Sequence, residues 1–231
     1  MCGRFTQYRT VEDYAKALQL GLLDGDWSNQ PLERYNVAPQ SRVMLLHQDD
    51  QGTHALAVRW GYAPHWADGK RPPAINARIE TASTSRFWGA IWKKGRVIIP
   101  ADGWYEWKKD PDNPKVKQPY FIRLKGDAPA FFAGIADIPQ DGEEGAGGFA
   151  IITAASDEGM VDIHDRRPVV LPPEIAREWL ETGLAPERAE DLARHHDLPV
   201  EEFEWYPVGK EVGNVKNHGA ALIERIDNPL L

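Results

Sequence analysis

Val97-Ile98-Ile99-Pro100-Ala101-Asp102-Gly103-Trp104-Tyr105-Glu106-Trp107 is the stretch on which the fold turns. Val97-Ile98-Ile99 is β-branched and Trp104-Tyr105-Glu106-Trp107 is mostly aromatic, and both compositions suit strands. In a strand over 104–107, Trp104 and Glu106 share one face while Tyr105 and Trp107 share the other. Working outward, residues 120–124, 131–135 and 149–153 repeat this composition, separated by turn residues such as Asp110-Pro111-Asp112-Asn113-Pro114. Upstream, residues 42–47 and 55–60 flank the polar Asp49-Asp50-Gln51-Gly52 and read as a hairpin. Residues 203–208 supply a late strand.

Helices fall outside these runs. Thr10-Val11-Glu12-Asp13 has the form of a capping box, and Tyr14, Ala17, Leu18 and Leu22 make one stripe, which predicts a helix over 11–23. A short helix is expected over 84–92, with Phe87, Trp88 and Ile91 as its apolar face. Two more are expected over 173–181 and 186–195, each with Pro at its start. No βαβ rhythm, repeat or low-complexity linker is present. The expected fold class is α+β: one domain over 1–222 with a curled, barrel-like, mainly antiparallel β core and peripheral helices, followed by a tail over 223–231.

Composition narrows the functional classes. The 231 residues are 42% hydrophobic and 27% charged, which is globular rather than disordered. No stretch reaches the roughly 20 apolar residues of a membrane span, and the first residues are polar with no secretory h-region. One cysteine excludes an intramolecular disulfide and fits a reducing compartment, so a cytoplasmic protein is expected. The net charge of −8 argues against a uniformly basic nucleic-acid binder while leaving room for a local basic cleft. Arg4, Arg34, Arg59, Arg78, Arg86, Arg96, Arg166 and Arg167 lie in the aromatic and motif-rich stretches, whereas much of the acidity lies elsewhere.

The single cysteine is Cys2, directly after Met1. A small second residue permits Met1 removal, which would leave an amine and a thiol on adjacent carbons. Their ordinary pKa values, about 8 and 8.5, put a neutral amine or a thiolate within reach of modest tuning. Such a 1,2-aminothiol condenses with an aldehyde to an imine and closes to a thiazolidine; a small buried apolar side chain is the other reading of Cys2. Glu106 beside indole surface would be desolvated, its pKa raised into the range of a proton donor at neutral pH. Asn76 interrupts an apolar stretch, and His164 lies in a polar segment between a strand and a Pro-terminated loop. Read singly, each of these also fits an ordinary structural role.

Together they form an ordered set: Met1-Cys2-Gly3-Arg4-Phe5, Tyr35-Asn36-Val37-Ala38-Pro39, Trp60-Gly61-Tyr62-Ala63-Pro64 and Ile75-Asn76-Ala77-Arg78-Ile79-Glu80-Thr81, continued by Ala101 to Trp107, Ile163-His164-Asp165-Arg166-Arg167-Pro168 and Val212-Gly213-Asn214-Val215-Lys216-Asn217. In this the chain resembles the SRAP family, the SOS-response-associated peptidase domain. The resemblance implies capture of abasic sites in single-stranded DNA as a covalent thiazolidine crosslink through the Cys2 amine and thiol after Met1 removal. It also implies weak AP-lyase activity and a self-processing peptidase step.

On that resemblance Glu106 is the general acid/base, Asn76 holds the amine or the sugar oxygen, and His164 moves protons on the sugar's 3′ side. DNA contacts are expected from Arg4, Asn36, Arg78, Arg86 and Arg166, with Trp66 and Trp107 stacking on bases. No cofactor is expected, and a monomer suffices for covalent capture, with association to the nucleoid only through DNA. Two rival classes use the same residues: a cysteine peptidase or amidohydrolase with an N-terminal nucleophile, and a noncatalytic adaptor or metal site on Cys2, His164 and Glu106. No Cys-x-x-Cys or His-x-x-x-His spacing supports metal.

Overall fold

A computed structural model describes residues 2–21, 23, 29–67, 69–138, 147–156 and 160–229. Leu22 of the expected helical stripe, Met1 and the last two tail residues lie outside them. The described strands, in chain order, are β1 (Phe5–Gln7), β2 (Arg34–Val37), β3 (Arg42–Asp49), β4 (Gly52–Arg59), β5 (Asn76–Arg78), β6 (Arg96–Ala101), β7 (Gly103–Lys109), β8 (Lys117–Leu124), β9 (Ala130–Asp137), β10 (Gly148–Ala155), β11 (Arg166–Pro168) and β12 (Phe203–Pro207). The helices are α1 (Val11–Ala17), α2 (Ile79–Ala82), α3 (Gly89–Lys94), α4 (Pro173–Leu180) and α5 (Pro186–His195). None is long and apolar enough to cross a membrane.

These strands make two sheets, ordered β12-β8-β7-β1-β2 and β11-β10-β9-β6-β3-β4, with β5 joined to β10. All pairings are antiparallel except β5 with β10, which runs parallel. The larger sheet is curled. Past the end of β4, Trp60 bridges Phe149 at the start of β10, and Gly61 N–H donates to the Phe149 carbonyl at 2.9 Å. The fold is thus α+β as expected, with the β core divided between two sheets rather than closed as a single barrel.

Strand alternation sorts the side chains into three clusters. Val97, Ile99, Trp104, Ile122, Phe132, Phe149 and Phe5 fill the space between the sheets. Ile98, Ala133 and Ile152 point the other way, under Trp92, Trp179, Leu192 and Tyr14. On the outer face of the smaller sheet, Tyr105 and Phe121 are covered by Val208, Val212 and Leu222 from the C-terminal segment. Trp104 inward and Tyr105 outward is the period-two pattern read from the sequence, and Glu106, buried to 3% exposure, lies on the Trp104 face. The Ile223 carbonyl accepts from Tyr206 Oη, and Ile226 N–H donates to the Pro207 carbonyl, so residues 223–226 are bonded to the domain.

Two helices differ from expectation for local reasons. Thr10 and Asp13 form the capping box, but Gln19 has a φ of 54° and stops α1 well before residue 23. In the second, Ser85 Oγ accepts from Phe87 N–H, a side-chain bond that competes with the helical pattern, and the helix begins only at Gly89.

One buried carboxylate joins the first strand, the first helix and the start of β7. Asp102 accepts from Tyr8 N–H at 2.6 Å, Tyr14 Oη at 2.6 Å and Arg9 Nε at 2.7 Å. Beside it, a Cβ on Gly103 would lie 2.6 Å from the Ile122 carbonyl oxygen, so only glycine lets β7 pass this close to β8. Hydrogen bonds to a charged group are worth about 1.5–3 kcal/mol each, with losses that are not additive. Asp102→Ala should therefore lower the unfolding free energy by about 3 kcal/mol in urea titration. A loss below about 1 kcal/mol would show that the Asp102 contacts are dispensable.

Candidate functional site

The antiparallel register Phe5↔Trp104 and Thr6↔Gly103 runs the first residues of the chain alongside β7. The pairing is extended by Tyr105 N–H, which donates to the Arg4 carbonyl at 2.9 Å. Cys2 is thereby carried to Glu106, and both are buried. From the other sheet come Asn76, on β5, and His164, just before β11. Asn76 Nδ2 donates to the Cys2 carbonyl oxygen at 2.9 Å, and His164 Nε2 lies 3.9 Å from Glu106 Oε2. Four residues separated by up to 162 positions in the chain thus meet where the two sheets face each other.

Burial sets the electrostatics. Desolvation raises the Glu106 carboxyl from an ordinary 4.5 to about 8, so it holds its proton at neutral pH. Desolvation also pushes the Cys2 thiol well up, and the Glu106 charge adds to this. The expected option of a thiolate near neutral pH is thereby removed: the resting sulfur is a protonated thiol. His164 is shifted down, chiefly by burial, which favours the neutral ring. Its Nδ1 lies 3.0 Å from the Arg166 N–H and 3.0 Å from Asp165 Oδ1, leaving Nε2 as the edge nearest Glu106. With carboxyl, thiol and imidazole all neutral, the group is arranged for relaying protons. Asn76 Oδ1 is buried and has no hydrogen-bond partner among the described residues, an acceptor held ready beside Cys2.

Arg166 was expected at DNA. It is buried, and its guanidinium forks onto Glu80, with Nη1 2.5 Å from Oε1 and Nη2 3.0 Å from Oε2. Nη2 also donates to the Thr153 carbonyl at 2.5 Å. These bonds join β11, α2 and β10, and so fix the distance between the His164 and Asn76 segments. Glu80 and Thr153 have positioning roles that sequence reading did not assign. Glu80 was visible within Ile75-Asn76-Ala77-Arg78-Ile79-Glu80-Thr81, but nothing local pairs it with an arginine 86 residues away.

The other expected DNA contacts divide into two groups. Arg4 and Asn36 bond each other and the C-terminal segment, with the Arg4 guanidinium 5.8 Å from the half-buried Trp107 ring. Arg78 is exposed, two residues beyond Asn76 on the same strand, and so opens on the same face. Arg86 is exposed too, 5.5 Å from the ring of Trp66, which is 52% exposed. Trp66 in turn meets Phe87 edge-on at 6.2 Å. An exposed indole beside an exposed guanidinium is the chemistry that binds stacked bases and phosphates.

The chain is similar to several known proteins. Residues 1–215 match the SOS response associated peptidase (SRAP) family. The abasic site processing protein YedK of Escherichia coli (strain K12) is 48% identical over 227 residues, covering 98% of this chain and 100% of YedK. The abasic site processing protein YoqW of Bacillus subtilis (strain 168) is 34% identical, over 97% of this chain and 99% of its own. HMCES of Xenopus tropicalis, also named an abasic site processing protein, is 29% identical over 94% of this chain and 76% of its own. The crystal structure of a phage-related protein from Bordetella bronchiseptica is similar at TM-score 0.78 and 40% identity, covering 95% of this chain and 100% of that one.

The elevated Glu106 pKa has a signed consequence for stability. Between pH 4.5 and 8 the unfolded chain ionises this carboxyl while the folded chain keeps it protonated. The stability due to Glu106 is therefore full below pH 4.5, falls as pH rises to about 8, and is level above. The wild-type unfolding free energy minus that of Glu106→Gln, measured in urea across this range, should fall with pH and flatten above 8. A difference independent of pH would place the carboxyl in the ordinary range.

Proposed function

The chain belongs to the SOS response associated peptidase (SRAP) family, and from that premise we propose that it captures abasic sites in single-stranded DNA as a thiazolidine on Cys2. The observation that carries this reading is the meeting of Cys2 with Asn76, Glu106 and His164, in which the carboxyl is protonated at neutral pH. Hydrolytic removal of Met1 frees the Cys2 α-amine, either by the chain's own peptidase activity or by a cellular aminopeptidase. The ring-opened abasic sugar presents a C1′ aldehyde.

The neutral amine adds to that carbon, and the resulting carbinolamine loses its hydroxyl as water, with the proton supplied by Glu106. The imine carbon then takes up the Cys2 sulfur. Glu106, now ionised, accepts the thiol proton and is restored as an acid, while the nitrogen keeps the one hydrogen it carried in the protonated imine, so the sum is aldehyde plus aminothiol giving thiazolidine plus water. Both nucleophiles sit on one residue, which makes ring closure intramolecular and gives it a large effective concentration. Because the thiol begins protonated, the amine attacks first. Asn76, whose Nδ2 bonds the Cys2 carbonyl and whose Oδ1 has no partner among the described residues, orients the amine. His164 moves protons on the sugar's 3′ side. There it assists crosslink reversal and, as a minor path, loss of the C2′ proton and the 3′ phosphate from the imine, which is AP-lyase activity.

Arg78, Arg86 and Trp66 form the exposed part of the DNA track, with Trp107 at its inner end. An N-terminal-nucleophile peptidase or amidohydrolase would need an activated thiolate in the resting site. Burial of the Cys2 thiol works against that rival.

Incubation with an abasic single-stranded oligonucleotide, followed by denaturing electrophoresis, tests the reading. The wild type should give a heat-resistant shifted band; Cys2→Ala, or one residue inserted before Cys2, should give none. Glu106→Gln should slow formation about 100-fold at pH 7. The wild-type rate should fall as pH rises through about 8, where Glu106 loses its proton. A full-strength band from the chain with an inserted residue would refute the mechanism.

A further inference from the structure

Resting on the crosslinking reading above, we propose that Asn36 is a positioning residue: it locks the Arg4 side chain and thereby holds Cys2 on target, rather than contacting DNA. Asn36 is buried to 8% exposure on β2, and its whole amide is engaged inside the protein. Oδ1 accepts from Arg4 Nη1 at 2.7 Å, while Nδ2 donates to the Asn214 and Asn217 carbonyls, each at 3.0 Å. Arg4 Nη1 also donates to the Val212 carbonyl at 2.7 Å. One amide therefore ties together β2, the chain's first residues and a C-terminal segment some 180 positions away.

That segment is itself stiffened from within. Asn217 Nδ2 donates to the Glu211 carbonyl at 2.8 Å, and Asn214 Oδ1 accepts from Lys216 N–H at 3.0 Å. Val212 packs in the cluster beneath it. The Val212-Gly213-Asn214-Val215-Lys216-Asn217 motif thus gains a role: it is the fixed wall against which Arg4 is braced.

The need for a brace follows from where β1 begins. Residues 2–4 precede the strand, and chain ends fray unless they are tied down. Two ties act directly on Cys2: Asn76 on its carbonyl, and the Arg4 main-chain N–H, which hydrogen-bonds its sulfur. The second tie is only as rigid as Arg4. Among the described residues, the Arg4 carbonyl is held by Tyr105 N–H, and its side chain by Asn36 and Val212. Loss of Asn36 leaves a half-buried guanidinium short of a partner and lets the amine and sulfur drift relative to Glu106. A misplacement of about 1 Å can cost about 100-fold in rate.

The experiment compares single-turnover crosslinking to an abasic single-stranded oligonucleotide with noncovalent binding of a tetrahydrofuran-containing oligonucleotide, which cannot react. Asn36→Ala should slow crosslinking 10- to 100-fold while the Kd for the unreactive strand stays within about two-fold. Asn36→Asp keeps an oxygen facing Arg4 but turns a second oxygen onto the Asn214 and Asn217 carbonyls, and should recover only part of the rate. If the alanine variant does not fold, Asn36→Ser takes its place with the same expected loss. Wild-type rates in the alanine or serine variant, or rate and affinity falling together, would overturn the positioning role. A wild type that forms no crosslink, judged beside Cys2→Ala, would instead overturn the reading on which this rests.

Discussion

The register between β1 and β7 is the constraint on which the site depends. Phe5 opposite Trp104 sets where Cys2 falls, and a slip of one residue would move Cys2 off the sheet face that Glu106 shares with Trp104. Several features hold that register. Phe5 packs edge-on against Trp60 at 5.1 Å between the sheets, Gly103 permits the close approach to β8, and Asp102 bonds Tyr8 just past the end of β1. Gln7 Nε2 adds bonds to the Met44 and Pro100 carbonyls, which fasten β1 to the second sheet. The smaller sheet thus brings Cys2 and Glu106, and the larger brings Asn76 and His164.

Placing these groups between two sheets has an energetic cost with a chemical use. Desolvation disfavours charge on both Glu106 and Cys2, which keeps a proton on the carboxyl and leaves the sulfur protonated until an electrophile arrives. A neutral acid can deliver a proton at pH 7, and a protonated thiol resists premature oxidation. The ion pair of Arg166 and Glu80, with the Arg166 bond to the Thr153 carbonyl, joins β11, α2 and β10 and braces the site.

Much of the fold could be read from the chain. The capping box at Thr10, the hairpin around residues 49–52 and the aromatic strand over 104–107 were legible because each is a local pattern. The facing of Glu106 followed from alternation with Trp104. What was not legible is also specific. β1, β5 and β11 are three residues each, too short to show a period, and they are the strands that carry or adjoin Cys2, Asn76 and His164. Arg166 could be recognised as a cation in a motif, but its partner Glu80 is fixed by the fold alone. Likewise, Asn36 and Arg4 were visible as polar residues near the expected cleft, while their bonds to residues 212–217 arise only when the C-terminal segment folds back over the smaller sheet. The set of site residues was gathered by family resemblance; their protonation states came from burial.

Mass spectrometry of the N-terminal peptide, before and after exposure to an abasic oligonucleotide, tests the central claim most directly. The account predicts a chain that starts at Cys2 and then gains the mass of the sugar-bearing strand less one water, on Cys2. Retention of Met1 in a fully competent protein, or attachment at any other residue, would contradict it.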